Sequence, residues 1–415
     1  MAGASAPAYL TKEVTMGYKV WPLIDDALIA SESRTPKVSK IPSVWPSEAS
    51  AVAKQNGESN ILGKCHRASY LRMIGWEVTN SVDAPGAWRW VTGRKIEDHL
   101  TELAKHAKIF VANGVRTIVR DLYLPLEMDL ITIDPETNEG WIIECKTYYG
   151  YMAKKEIETN RQPKTSNLIK VCLYLNEFKT GKKLKEVIAE SIEQKKSGLD
   201  IRNRIEIDPE TLARLDDGPL RAKLVYISRD ECLRKEFDIT IQEDFDGMHY
   251  PVVDGIMYRQ FTIESMYQRY QVLQSYWFEA RTEAVRRLEE KGIKKPETLS
   301  LVLKAGDPID NSPLSEADQE YLQKLDREVK LLPDSYWPPA EYEWSYSPEK
   351  VEKLYSIGEI GKIKYQDYKK RKPGKDRIGS FHCGYCSYKR VCVPKQGSGA
   401  YGQMFDLNHL DFPDE

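Results

Sequence analysis

The sequence predicts a mixed α/β fold, because two pairs of strand patterns are separated by strongly helical segments. The residues from about 120 to 133 and the segment WIIECKTY at 141–148 are typical of strands, and the turn-forming DPETNEG between them predicts a hairpin. LVYISRD at 224–230 and EFDITI at 236–241 predict two further strands. We therefore expect a mixed central sheet flanked by helices.

The helical patterns lie on both sides of the hairpin along the chain. A helix is expected around 21–31, another in CHRASYLRMIGW from Cys65, and a third after Gly93, where apolar residues recur on one face. Residues 165–178 predict a buried helix. Residues 262–290 predict a long amphipathic helix, whose aromatic residues we assign to core packing.

Changes in composition divide the chain into five predicted segments. The first sixty residues are rich in Ala, Ser and Pro, whereas 291–348 is interrupted by Pro and charged residues and is interpreted as an insertion or linker. The segments are an N-terminal arm at 1–60, a core at 61–245, a helical region with an insertion or linker at 246–348, a basic segment at 349–396 and an acidic tail at 397–415.

Composition also limits the class of protein. The 415 residues, 41% hydrophobic and 30% charged, suffice for one large or two ordinary domains. No apolar run approaches the length of a membrane span, and the opening MAGASAPAYLTKEV lacks the basic and apolar regions of a secretory signal. We therefore expect a cytoplasmic protein, in the host cytoplasm if it is viral. The chain has no G-x4-G-K-[ST], which argues against an ATP-driven motor.

The net charge of -2 hides a basic strip near the carboxyl end of the chain. Residues 345–395 contain 13 Lys or Arg against 5 Asp or Glu. Such a strip suits the phosphate backbone of a nucleic acid, and it equally suits a solvated surface.

The predicted hairpin carries a group of residues suited to phosphodiester hydrolysis. Glu144 and Lys146 are two apart on the second strand, so their side chains point to the same face, and Asp129 on the first strand can meet them. Two carboxylates form a hard oxygen site for Mg²⁺ or Mn²⁺, and an adjacent ammonium can position water and stabilise phosphate charge. Taken alone, the E-x-K triplet is also typical of a solvent-facing ion pair. Asp134 is better explained as a turn former.

Four cysteines form a second pattern, with Cys65 near the front of the chain and C-x2-C-x5-C at Cys383, Cys386 and Cys392. In a reducing compartment, clustered cysteines favour a metal or cluster site over disulfides. Zinc and an iron-sulfur cluster both remain possible from the cysteines alone. The other cysteines, at positions 145, 172 and 232, are expected to be small core residues.

Together these motifs resemble the PD-(D/E)XK nuclease core in its RecB-like form. The matching set is G-x3-E at Gly93 to Glu97, then Asp129, then E-x-K at Glu144 to Lys146, and a later helix containing Tyr174. The cysteine pattern is similar to that of the iron-sulfur branch, which includes the AddB nuclease domain, exonuclease V and the CRISPR-associated RecB-like exonucleases. The resemblance covers roughly 60–245 and 375–395, and it implies a restriction-endonuclease-like core.

The resemblance implies a role for each matching residue. Asp129 and Glu144 would bind Mg²⁺ or Mn²⁺ together with the backbone carbonyl of Cys145. Lys146 would act on water and the scissile phosphate, and Tyr174 would contact DNA or order the site. The cysteines Cys65, Cys383, Cys386 and Cys392 would hold a structural [4Fe-4S] cluster.

Two positions depart from the family pattern. The first metal ligand is commonly a His at G-x3-H, whereas this chain has Glu97 there and His99 two residues later. From its spacing after Gly93, we predict that Glu97 is the metal ligand at this position. The usual Q-h-x-x-Y helix motif has Lys170 in place of Gln, and this lysine suits either a phosphate contact or a surface charge.

The resemblance implies a DNA exonuclease that acts on single-stranded ends in recombination, repair or replication. Tyr148, Tyr149 and Tyr151 are candidates for stacking on unpaired bases, or for core or rim positions. The alternative is a weakly cleaving or non-cleaving DNA-binding scaffold that serves a helicase or recombination partner. A zinc-stapled nuclease is a third hypothesis.

Overall fold

The computed structural model describes most of the chain between residues 20 and 341 and isolated positions after it. The described residues are 20–32, 40–42, 44–48, 50–55, 58–78, 83–150, 153–179, 182–196, 205–231, 233–308, 312–341, 344–345, 356, 378–379, 386–388 and 392. Tyr151, Cys232, Cys383 and nearly all of the basic strip lie outside them.

The helices and strands follow one another in a mixed order. The helices are α1 (Val20–Glu32), α2 (His66–Met73), α3 (Ala84–His106), α4 (Thr165–Lys179), α5 (Leu184–Lys196), α6 (Pro209–Arg214), α7 (Ile263–Glu290) and α8 (Glu316–Lys330). The strands are β1 (Ser50–Gln55), β2 (Glu58–Gly63), β3 (Phe110–Val119), β4 (Leu124–Ile133), β5 (Glu139–Tyr148), β6 (Glu206–Ile207), β7 (Asp216–Ser228), β8 (Arg234–Glu243), β9 (His249–Val253), β10 (Ile256–Met257), β11 (Trp344–Ser345) and β12 (Ile378–Gly379).

A large mixed sheet organises the described part of the chain. Its strand order is β10-β9-β8-β7-β5-β4-β3-β6, with β5 and β7 parallel and the other neighbours antiparallel. The connection from β5 to β7 contains α4, α5, β6 and α6, as expected for parallel neighbours that need a long crossover. The predicted mixed α/β fold with helices beside a central sheet is therefore confirmed.

The hairpin at the centre of this sheet forms where the sequence predicts it. β4 and β5 pair from Ile133 with Gly140 to Leu130 with Ile143. In the turn, the Asp134 Oδ1 atom accepts hydrogen bonds from the backbone N–H groups of Glu136 at 2.8 Å and Thr137 at 3.1 Å. Asp134 is therefore a turn former, as its position suggests.

The helices α3 and α4 approach the hairpin. α3 begins nine residues before Gly93, because the Asp83 side chain caps its amino end by accepting from the Gly86 N–H at 2.8 Å. α4 is enclosed by the core, since its apolar side chains are buried all round the helix. The fully buried ones are Leu168, Ile169, Val171, Cys172, Leu173 and Tyr174.

The region after residue 245 packs as part of the same core. Trp277 and Tyr270 of α7 are buried, which confirms that its aromatic face is a packing face. α8 packs against α7 and begins with a capping box between Ser315 and Asp318. Leu299, Val302 and Trp337 join the core that contains the central sheet. The segment predicted to be an insertion or linker, 291–348, therefore contributes buried apolar side chains to that core within its described residues up to 341.

Two other expectations concern single residues and helices. Cys145 and Cys172 are buried, as expected for small core residues. Among the helices of the described residues, none is long and apolar enough to cross a membrane.

Candidate active site

The predicted site residues lie where strands β4 and β5 separate. The pairing of these strands ends at Leu130 and Ile143, whereas β5 continues alongside β7 as far as Tyr148. Asp129 and Glu144 are the next residues beyond the last pair. The two carboxylates therefore lie at the opening of a fork between the strands.

Glu144 is the most deeply buried carboxylate of this fork. Its side chain is 0% exposed, and its Oε1 atom accepts hydrogen bonds from both Lys146 Nζ and Lys170 Nζ, the latter at 2.7 Å. Burial alone would raise the pKa of Glu144, but the two lysines lower it to about 2. Glu144 is therefore ionised throughout the neutral pH range.

The other oxygen of Glu144 has a different environment. Glu144 Oε2 is buried and has no hydrogen-bond partner among the described residues. The Tyr174 hydroxyl beside this carboxylate donates instead to the backbone carbonyl of Glu127, at 2.8 Å. A buried acceptor without a donor is costly, so this oxygen is a natural position for a cation.

Asp129 faces the same opening from β4. Lys170 Nζ lies 3.9 Å from its Oδ2 atom. Burial, and then the negative charge of Glu144, raise the pKa of Asp129 to about 7, although Lys170 and Lys146 oppose the shift. Without a bound cation, Asp129 therefore exchanges a proton near neutral pH.

Lys146 connects two of the predicted metal-binding oxygens. Its ammonium donates to Glu144 Oε1 and, at 3.1 Å, to the backbone carbonyl of Cys145. The Cys145 side chain itself is buried, and burial raises the pKa of its thiol to about 12. The thiol is therefore neutral, and the carbonyl is the atom that Cys145 offers to the site.

Glu97 and His99 occupy different positions on α3. Glu97 lines the cleft at the fork with Asp129 and the Cys145 side chain, and His99 is exposed. Burial raises the pKa of Glu97, Lys146 opposes that shift, and Glu144 adds to it. The structure thus brings Glu97 to the other site residues, while His99 faces away from them by the helical spacing.

Tyr174 and Lys170 share one face of α4, one helical turn apart. Lys170 Nζ lies 5.5 Å from the centre of the Tyr174 ring. Burial, followed by the charges of Glu144 and Asp129, raises the pKa of Tyr174 well above its usual value. The phenol is therefore neutral and serves as a hydrogen-bond donor that holds β4.

The donor set at the fork fits a hard divalent cation. Carboxylate and backbone carbonyl oxygens converge there, and one carboxylate oxygen is buried without a partner. Among the described residues, no three His, Cys, Asp or Glu side chains form a ready metal-binding group, and two lysines lie against Glu144. The site as described is therefore an ion-paired form, in which ammonium groups neutralise the carboxylates.

The cysteines from the two ends of the chain lie near one another. Cys65 precedes α2, and the Cys392 thiol is close enough to influence the pKa values of both Cys65 and Cys386. Burial, and then the charge of Glu341, raise the pKa of Cys65 to about 12. Cys383 lies outside the described residues. The three half-buried thiols of Cys65, Cys386 and Cys392 therefore lie in one region, but among the described residues they do not by themselves form a metal-binding group.

A buried charged group supports Cys65. Glu341 receives a hydrogen bond from the His66 N–H at 2.9 Å, and Arg269 Nη1 lies 2.5 Å from its Oε1 atom. Burial would raise the pKa of Glu341, but His66 and Arg269 lower it. Burial and Arg269 lower the pKa of His66 to about 3, so its ring is neutral. This group ties α2 to α7 and to the segment at 338–341.

Sequence reasoning missed two features of these sites. It left Lys170 between a phosphate contact and a surface charge, whereas the structure places its ammonium against Glu144 and Asp129. The i, i+4 spacing of Lys170 and Tyr174 was the available signal. Glu341 was overlooked altogether, because no motif marks a carboxylate 275 residues from its partner His66.

Comparison of the chain with protein-family models, with curated proteins and with solved structures gives no match. Similarity to known proteins therefore does not identify a family for the chain. A functional conclusion has to rest on the geometry and chemistry of the fork and of the cysteine site.

Proposed function

We propose that this chain is a metal-dependent DNA exonuclease with a PD-(D/E)XK core, acting on single-stranded ends. The observation that carries the proposal is the fork, where Asp129, Glu144 and Lys146 meet at the point at which β4 and β5 separate. The Lys170 ammonium lies between the two carboxylates, which supports the proposal that Asp129 and Glu144 are near enough to share a cation. Such a group of oxygen donors beside a lysine suits phosphodiester hydrolysis.

The residues of the fork divide the work of the reaction. Asp129, Glu144, Glu97 and the carbonyl of Cys145 would hold Mg²⁺ or Mn²⁺, which supplies a Lewis acid against the phosphate charge. Lys146 leaves Glu144 and donates hydrogen bonds to the attacking water and to a non-bridging phosphate oxygen. The half-exposed position of its ammonium allows that movement. Water forms the new P–O bond and loses a proton to the solvent, and the leaving oxygen takes up a proton from the solvent as its bond to phosphorus breaks.

A surface beyond the fork supports a single-stranded substrate. Tyr149 follows the end of β5, Trp90 lies one turn before Gly93 on α3, and both side chains are exposed. Arg229 joins the two elements, because its backbone N–H donates to the Tyr148 carbonyl at 2.9 Å and its guanidinium to the Arg89 carbonyl at 3.3 Å.

This surface offers the two contacts that an unpaired strand needs. Exposed aromatic rings stack on bases regardless of sequence, at about 1–3 kcal/mol per base. Within the described residues Arg229 has no carboxylate as an ion-pair partner, so its guanidinium can meet a phosphate. Tyr149 is five positions beyond Glu144, which corresponds to about 16 Å along an extended chain, so a strand with its end at the fork could reach this surface.

For the cysteine site we propose a structural [4Fe-4S] cluster. It would be held by Cys65, Cys386 and Cys392 together with Cys383, and it would fasten the carboxyl-terminal segment to α2. Hydrolysis transfers no electrons, so the role is mechanical. Metal and sulfide analysis of protein purified without oxygen tests this: iron with acid-labile sulfide supports the cluster, and zinc without sulfide contradicts it.

A DNA-binding scaffold that does not cut is the second candidate function. It is favoured by the ion-paired state of the fork, in which two lysines already satisfy one oxygen of Glu144. Such a protein would serve a helicase or another recombination partner. It would bind single-stranded DNA and leave its length unchanged.

The deciding experiment is digestion of end-labelled single-stranded DNA with Mg²⁺ or Mn²⁺. Wild-type protein should shorten the strand, and Lys146→Ala should not. Lys223→Ala is the matched control, because Lys223 also pairs with carboxylates on the central sheet, Asp238 and Glu236, but outside the fork. Binding without cleavage under either metal would contradict the nuclease and favour the scaffold.

A further inference from the structure

The Lys170 ammonium lies between the two carboxylates of the fork. It is 2.7 Å from Glu144 Oε1 and 3.9 Å from Asp129 Oδ2, so it bridges them. Two-ion phosphodiesterase sites hold their metals about 3.5–4 Å apart by sharing carboxylates in this manner. We infer that Lys170 is a built-in second cation and that the fork therefore takes one divalent ion. This inference rests on the proposed metal-dependent function.

The backbone fixes Lys170 in this position. α4 is enclosed by the core on its other sides, so the helix cannot shift without breaking apolar packing. Glu144 and Asp129 are the ion-pair partners of Lys170 in the part of the chain that the structure describes. Moving its ammonium away from them would leave a charge that is only 18% exposed without a partner, which is strongly unfavourable.

Lys146 is less constrained by packing than Lys170. It is 31% exposed and projects from the free end of β5, so it can turn from Glu144 towards a phosphate. Both lysines use the same oxygen, Glu144 Oε1, and leave Oε2 without a partner. One oxygen of the carboxylate thus accepts from both ammonium groups, and the other is buried without a hydrogen-bond partner.

The charges of the site agree with a single ion. Glu97, Asp129 and Glu144 carry three negative charges when ionised, and Lys146 and Lys170 carry two positive ones, which leaves one negative charge. One divalent ion brings the group to a single positive charge, suited to a phosphate. A second ion would bring it to three, and repulsion in a partly buried site opposes that state.

Counting bound Mn²⁺ on the full chain without DNA tests the inference. The free Mn²⁺ signal in electron paramagnetic resonance, measured during titration, gives the number of ions per protein. The expected result is one ion for the wild type and two for Lys170→Met, which removes the charge and keeps the length of the side chain. Lys170→Arg retains the charge and should bind one ion.

The control is Lys223→Met, which removes another paired lysine from the same sheet and should bind one ion. Two ions or none on the wild type, or one ion on a folded Lys170→Met protein, would overturn the inference. Lys170→Gln is the second neutral variant if the first does not fold, and circular dichroism checks both. If neither folds, the wild-type stoichiometry decides.

The same measurement separates this inference from the nuclease proposal. Ion counting needs no cleavage, so a wild type that binds one Mn²⁺ and leaves DNA intact would contradict the nuclease and leave the role of Lys170 in place. A wild type that binds two ions and cuts DNA would support the nuclease and overturn the inference about Lys170.

Discussion

The fork and the cysteine end of the molecule both bury charged side chains, but they do so differently. At the fork, Asp129 is 27% and Lys146 31% exposed, and a Glu144 oxygen has no partner. At the cysteine end, Glu341 and Arg269 are each 1% exposed and lie 2.5 Å apart, and Arg269 Nη1, Arg269 Nη2 and Glu341 Oε1 also lack hydrogen-bond partners. The two regions therefore differ in exposure and not in the completeness of their hydrogen bonds. The fork is partly exposed, which suits binding and chemistry, whereas the buried ion pair of the cysteine end suits a structural fastening.

The largest loss of stability should come from breaking the buried ion pair between Glu341 and Arg269. Replacement of Glu341 by Ala leaves the Arg269 guanidinium buried without its partner, and we expect a loss of about 3–5 kcal/mol in the free energy of unfolding. Urea unfolding measures it. Glu320→Ala is the control, because Glu320 forms an exposed pair with Lys324 and its removal should leave the midpoint unchanged. Equal midpoints for both variants would remove the distinction between the two regions.

At the fork, removal of the Asp129 carboxylate should stabilise the protein instead of destabilising it. The pKa of Asp129 is about 7 in the folded protein against 3.8 ordinarily, so the native state holds more protons between these values. The free energy of unfolding of the metal-free protein should therefore fall as the pH rises from 4 to 7. Asp129→Asn removes this penalty and should stabilise the metal-free protein at pH 8 by roughly 1–2 kcal/mol, with little change at pH 4.

Glu144→Gln provides the opposing control for that experiment. The pKa of Glu144 is lowered to about 2, so its contribution is present above its ordinary pKa of 4.5 and is lost as the pH falls towards 2. The variant should therefore destabilise the protein at neutral pH. Denaturant unfolding in EDTA at several pH values measures both proteins. A destabilised Asp129→Asn protein at pH 8 would show that the fork is not under electrostatic strain.

A matched pair of tyrosines separates stability from site chemistry. Tyr174 and Tyr123 both donate a hydroxyl hydrogen bond of 2.8 Å to a backbone carbonyl, of Glu127 and Asp307 respectively. Either Phe variant should lose about 1 kcal/mol of stability. Mn²⁺ affinity, measured by titration, should fall only in Tyr174→Phe, because Tyr174 lies beside Glu144. An equal change of affinity in both would assign Tyr174 to packing alone.

The smallest expected effect concerns the helix that carries Glu97. A Cβ atom at Gly93 would lie 3.6 Å from Thr147 Oγ1, an ordinary contact distance, so the helix does not need glycine for its approach to β5. Because Ala has a higher helix propensity than Gly, Gly93→Ala should raise the free energy of unfolding by about 0.5–1 kcal/mol. A slightly higher thermal midpoint would show this. A lowered midpoint would show that α3 is more tightly constrained beside the fork than the contact distance indicates.

Local sequence patterns predicted much of the fold. The hairpin, the helix from 165 and the long helix from 263 all form where periodicity and turn residues place them. Their signals are short-range, because hydrogen-bond period and side-chain alternation are set by neighbouring residues. Pro and charged residues interrupt the pattern of 291–348, so the sequence did not predict that Leu299, Val302 and Trp337 are buried in the core.

In the candidate site, too, the sequence predicted some features and not others. Alternation along β5 was enough to place Glu144 and Lys146 on one face, and the turn at Asp134 was enough to bring Asp129 back to them. The choice of Glu97 over His99 followed from spacing, and Glu97 lies in the cleft. The partners of Lys170 could not be predicted from the sequence, because the direction in which a helix presents a lysine depends on how the helix packs.

The sequence by itself determined the main helices, the hairpin with its E-x-K strand and the strands that follow it, and it predicted that Cys65 acts with the cysteines at the far end of the chain. The tertiary structure decided that β4 leaves β5 at Asp129 and Glu144, and that Lys170 bridges their carboxylates. It also decided that Glu341 closes on Arg269 and His66 beside Cys65. The physical reason is distance along the chain: local preferences act over a few residues, whereas these contacts exist only once the core has packed.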